Sequence, residues 1–132
     1  MATIIDPQLT IEVDKSAKVA NVRVTCDVEF SQFEVNSMNL LGMRYTLECN
    51  LLNMEMLYPE SVINFGLLQF PRIRDGASTL ERPVFEAVAP TKDLHLYIAG
   101  KDSLAAMLQL RNEDRGTVAS KRTPSQLVDL GA

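Results

Sequence analysis

Apolar residues recur at every second position along most of this chain, and a two-residue period puts alternate side chains on opposite faces of an extended strand. Val22, Val24, Cys26, Val28 and Phe30 fall on one face, while Arg23, Thr25, Asp27 and Glu29 fall on the other. That is a strand with one buried and one wet face. Leu9, Ile11 and Val13 repeat the pattern ahead of a turn at Asp14-Lys15-Ser16. Phe33 and Val35 stand on the opposite parity from Phe30, so they read as a restart of that strand through a bulge, ended by Asn36-Ser37. From Leu41 the alternation runs through Met43, Tyr45, Leu47, Cys49 and Leu51; parity then slips at Leu52, with Met54 and Met56 on the new phase. A slip of one residue exchanges the two faces, which predicts a bulge or a bend from one sheet to another near Leu51-Leu52.

Further extended segments follow at Val62 to Phe70, interrupted by Gly66, and at Val84 to Val88. Between them, residues 71–83 are bounded by prolines, show no sustained period and read as the longest loop. Leu94, Leu96 and Ile98 alternate with His95, Tyr97 and Ala99. Leu104 to Leu110 and Thr117 to Arg122 flank a polar connection ending at Gly116, a hairpin signature. The segment Ser103 to Arg111 also fits helical spacing, and the strand reading is preferred. Residues 123–132 leave the pattern as a C-terminal tail, either a short helix or a loose end. About eight strands joined by short turns predict one all-β domain over residues 1–132, an antiparallel Greek-key β-sandwich, with a small closed β-barrel as the alternative.

A chain of 132 residues supports one core of ordinary size. Its net charge of −4 disfavours a phosphate backbone as partner, so no nucleic acid is expected. The charge is uneven: residues 1–66 hold nine acids and four bases, residues 67–132 eight acids and nine bases. The two halves could attract one another within or between copies. The first residues carry no export leader, and no apolar run approaches the ~20 residues that span a bilayer, so a cytoplasmic domain with no membrane insertion is expected. Cys26 and Cys49 lie at apolar positions of alternating segments and read as buried thiols, able to bridge only in an oxidising compartment.

Candidate chemistry is sparse. His95 is the sole histidine; with Tyr97 and Asp93 it shares one parity, an arrangement that could shuttle a proton or simply form a polar strand face. Arg72, Arg74 and Arg82 in or beside the long loop could hold an anion through paired hydrogen bonds. Met38, Met43, Met54, Met56 and Cys49 follow strand parity, which reads as core packing; no metal and no cofactor is expected. No zinc, nucleotide or hydrolase motif is present. The expected function is a non-catalytic protein-interaction or assembly domain that self-associates, meeting its partner through a sheet face or an edge strand. The alternative is a barrel or sandwich with an apolar cavity for a small ligand, an isomerase or cyclase using Tyr45, Arg44, His95 and Tyr97. Parity points Tyr45 inward and His95 and Tyr97 outward.

Overall fold

Strand β2 (Val19–Glu29) buries Ala20, Val22, Val24, Cys26 and Val28 while Asn21 and Arg23 stay in solvent, as its alternation requires. The computed structural model describes residues 1–54, 60–72, 76–94 and 101–130. β2 is the centre of one antiparallel sheet, with β1 (Thr3–Asp14) along one side and β6 (Val84–Pro90) with the two-residue β5 (Leu80–Glu81) along the other. The second sheet has the order β4 (Glu60–Phe70), β3 (Tyr45–Asn53), β7 (Asp102–Asn112), β8 (Gly116–Arg122); β9 (Gln126–Val128) continues the β8 side of β7. The chain changes sheet after β2, β4 and β6, which makes the connectivity a Greek key. Leu47, Leu51, Leu104, Leu108 and Leu110 from the second sheet pack with Val22, Val24 and Val28 from the first, all essentially without solvent contact. Each such side chain contributes about 1.5–3 kcal/mol of transfer free energy. The architecture is an all-β antiparallel sandwich.

It is not the alternative closed barrel. Among the described residues, β1 lies near β8 and β4 near β6 at the two borders, yet neither couple shares a strand ladder. No helix of the described residues is long and apolar enough to cross a membrane.

Several local expectations are corrected: β3 begins at Tyr45 and includes neither Leu41 nor Met43, and the expected loop 71–83 contains the two residues of β5. Residues around Phe33 and Val35 do not restart a strand: they belong to helix α1 (Gln32–Leu41), which buries Val35 and Met38 at a spacing of three. β3 does not change phase at Leu52. Its inner row runs unbroken through Tyr45, Leu47, Cys49, Leu51 and Asn53, because the two irregularities in its pairing put the extra residues, Phe65 and Val62, on β4. Leu94 is not in a strand but closes a short helical turn, α2 (Thr91–Leu94). Residues 123–130 of the tail are neither helix nor loose end: β9 pairs with Asp102 to Leu104, Thr123 Oγ1 accepts from Ala106 N at 2.9 Å, and Leu130 is buried. The helical alternative for Ser103 to Arg111 is excluded by β7, and the Asn112 to Gly116 hairpin stands as expected.

The outer strands β1, β4 and β8 are irregular, and β6 is bounded by prolines. β1 bulges between Ile5 and Gln8, where Asp6 takes φ 51° beside Pro7. β4 bulges twice, β6 is preceded by Pro83 and ends on Pro90, and the β8 register shifts at Val118 before Lys121 and Arg122. Bulges, prolines and lysines on a border all hinder the addition of a further strand.

Candidate functional site

Helix α1 carries the chain from the first sheet to the second across one end of the sandwich. Its start is set by a capping box: Ser31 Oγ accepts from Glu34 N at 3.2 Å, and Glu34 Oε1 accepts from Ser31 N at 2.9 Å. Its end is set by Gly42, whose φ of 70° is a left-handed conformation that suits glycine. The Arg44 guanidinium donates to the carbonyls of Met38 and Met43 at 3.4 and 3.0 Å, so it satisfies an acceptor left over at the helix terminus.

Glu34 does more than cap. Its Oε2 accepts from Ala2 N at 2.9 Å and from the Tyr45 hydroxyl at 3.1 Å, tying the start of the chain, the helix and β3 together. Burial acts to raise its pKa, but hydrogen bonds from the Ser31 backbone and side chain and from Tyr45, with the nearby terminal ammonium, outweigh it and hold the carboxyl below the usual carboxylate range. Burial, and the Glu34 charge beside it, push the Tyr45 phenol up, against a hydrogen bond with Asn112 that lowers it. A group with a depressed pKa stabilises the fold above its unfolded pKa, and that stabilisation disappears as pH falls through the folded value. Glu34→Gln is therefore expected to cost about 1 kcal/mol at neutral pH and to flatten the decline in melting temperature below about pH 5. Parallel acid limbs for both proteins in thermal melts would contradict this.

Beside α1 opens a cleft of about 280 Å³, with Tyr45, Ser37 and Glu34 among its walls, Asn112 and Arg115 from the β7–β8 hairpin, and Met1, Phe33, Met43 and Val118 as its apolar part. The outer side of the helix is unusual. Phe33, Leu40 and Leu41 are 77%, 80% and 78% exposed. Phe33 and Leu40 are seven residues apart and so lie on one stripe of the helix.

The sequence candidates are dispersed. Tyr45 is buried as parity predicted, and its hydroxyl is engaged by Glu34. Arg44 is engaged by the helix end. Arg72 lies 3.9 Å from Glu81 and over the Phe70 ring, and Arg82 lies 3.7 Å from Asp27. Each of these two arginines thus has its own carboxylate. Arg74, His95 and Tyr97 lie outside the described residues. Among the described residues no cluster of three His, Cys, Asp or Glu side chains could hold a metal. Cys26 and Cys49 are free and buried, and burial pushes both thiols up to about 12. A second, shallower depression of about 540 Å³ crosses the outer face of the first sheet between Thr10, Glu12, Asn21, Arg23, Glu86 and Val88, with an Arg23–Glu86 pair at 3.5 Å. Strand periodicity conceals the α1 surface, whereas Ser31-x-x-Glu34 followed by Gly42 is a helix start and stop signal.

No protein-family model matches the chain, and no curated protein sequence does. Among solved structures the chain is similar to β-glucosidase 3B from Thermotoga neapolitana in its complexes with glucose and with glycerol. The TM-score is 0.37 and the identity 8% in both cases, over 98% of this chain and 17% of that one. The chain thus spans about a sixth of that enzyme's length, and a likeness this slight says nothing of what it does.

Proposed function

We propose that this is a non-catalytic protein-interaction or assembly domain that meets its partner through the α1 end of the sandwich, not through a strand edge. The observation that carries the reading is the exposure of Phe33, Leu40 and Leu41 on one ten-residue helix. Large exposed apolar side chains grouped on one element favour contact with another protein. The engagement of Tyr45 and Arg44 in holding α1 in place supports a structural role for both over a catalytic one. The interrupted outer strands turn the preference away from edge pairing. The reading places the domain in the cytosol, where Cys26 and Cys49 remain thiols.

A photo-activatable residue at Leu41, introduced into the protein in its own cell type, tests this. Irradiation is expected to yield a discrete covalent adduct from position 41 and none from the same residue at Val88, which is exposed on the far sheet face. Adducts from Val88 alone, or from neither position, would defeat the reading.

A further inference from the structure

We infer that Cys26 and Cys49 form a redox pair: the two thiols face each other across the core, and a small-molecule disulfide can join them into a bridge that clamps β2 to β3. Such a bridge is independent of any partner at α1, yet it encloses that helix, since Gln32–Leu41 lies between the two cysteines.

The facing strands bring the pair together. Phe30, just beyond the end of β2, meets Tyr45, the first residue of β3, with ring centroids 5.0 Å apart. At the far end of the sandwich α2 spans the same two strands. Thr91 N donates to the carbonyl of Lys18, just ahead of β2, at 3.0 Å, and the Leu94 carbonyl accepts from Asn53 Nδ2, at the end of β3, at 3.0 Å. β2 and β3 therefore lie face to face along their length, and every second residue of each points into the core. One step in from the Phe30–Tyr45 contact come Val28 and Leu47, and the second step reaches Cys26 and Cys49. The two sulfurs also sense one another: burial pushes the Cys49 thiol up, and negative charge on Cys26 adds to the push.

Facing sheets lie about 10 Å apart, whereas bridged cysteines hold their Cα atoms about 4.4–6.8 Å apart, so closure requires the backbone to give locally. Both cysteines stand where it can. Among the described residues Cys26 is the one position of β2 without a ladder partner on either side. The β1 bulge skips it between Ile5 and Gln8, and it falls between the β6 ladder that ends at Thr25 and the β5 ladder that starts at Val28. Cys49 pairs with Gly66, next to the first irregularity of β4. A depression of about 310 Å³, bordered by Asp6, Gln8, Arg82 and Pro83, has Cys26 in its lining and gives a small reagent its way in.

The exchange balances without a further co-reactant. The Cys26 thiolate attacks one sulfur of the small disulfide, forming a mixed disulfide and releasing the first small thiolate. The Cys49 thiolate then attacks the Cys26 sulfur and expels the second. The S–S bond of the reagent is replaced by the Cys26–Cys49 bond, two electrons pass from protein to reagent, and the two departing thiolates take up the two protons that the cysteines gave up. An excess of small thiol runs the sequence backwards, which keeps the pair open in a reducing compartment.

The reduced full chain, held well below its melting temperature in glutathione buffers of increasingly oxidising poise, is expected to lose both alkylatable thiols together, as read after acid quench and denaturation. Tryptic digestion, which cuts after Arg23 and Arg44, should then release one disulfide-linked pair of peptides carrying Cys26 and Cys49. Closing the loop over residues 27–48 should raise the melting temperature by about 10 °C, and dithiothreitol should reverse the rise. Cys26→Ala and Cys49→Ala, each compared with itself before and after oxidation, should show no such rise. Thiols that both stay free after prolonged oxidation, a chain that stops at a glutathione adduct, links only between molecules, or a bridge that lowers the melting temperature would each overturn the inference. None of these outcomes bears on the Leu41 adduct, so the redox pair and the interaction reading fail separately.

Discussion

Replacing Phe30 with alanine is expected to remove about 3–5 kcal/mol of stability, a large share of the ~5–15 kcal/mol that a domain of this size possesses. The ring is 4% exposed and sits between two other aromatics, 5.0 Å from Tyr45 and 5.6 Å from Phe70 in tilted and edge-on arrangements. Truncation loses the transfer term, both ring contacts and the packing around a cavity that stiff strands on either side cannot close. Phe33→Ala, three residues further on, is expected to change stability by no more than about 0.5 kcal/mol, because its ring is already in water. Urea unfolding of the two variants beside the parent chain gives the comparison. Equal midpoints for Phe30→Ala and Phe33→Ala would refute the placement of α1 as well as the energy.

Asn53→Ala is expected to cost about 2–4 kcal/mol, more than its small size suggests. Asn53 and Asp102 are both fully buried, and Asn53 Nδ2 donates to the Leu94 carbonyl and to Asp102 Oδ1, each at 3.0 Å. Truncation takes one donor from a buried carboxyl group and from a buried carbonyl at once, and a hydrogen bond lost in a site without solvent is not replaced by water. The same amide joins β3, α2 and β7, so its loss should also loosen the turn that ends at Leu94. A denaturation midpoint within experimental scatter of the parent would show that water reaches these acceptors.

The sandwich was legible because burial on one face imposes period two, which β2 obeys from end to end and β7 obeys except at Ala105, buried on the opposite parity. Leu104, Ala106, Leu108 and Leu110 face the core as the pattern requires. The helix was not legible by that route, since Phe33 and Val35 mimic strand parity over too short a span to reveal a period near 3.6. Chemistry at its ends, Ser31 with Glu34 and then Gly42, carried the information instead. The phase of β3 beyond Leu51 escaped the pattern for a related reason: the apparent slip at Leu52 is local to β3, whereas the irregularities belong to its neighbour β4, and no local pattern in β3 reports them. The candidate site was legible only in part. Tyr45 could be assigned inward, but its contact with Glu34 joins residues eleven apart across a helix and a loop, and the exposure of Leu40 and Leu41 depends on how that helix crosses the sandwich.

The kinked borders of the two sheets have a consequence for behaviour in bulk. A straight strand border offers a continuous ladder of donors and acceptors onto which identical chains can stack without limit, ending in fibrils. Here Asp6-Pro7, the paired irregularities of β4 and the extra residue Val118 interrupt β1, β4 and β8, and prolines bound β6, all of which hinder the addition of a further strand. Growth of one molecule onto the next, border against border, is thereby disfavoured.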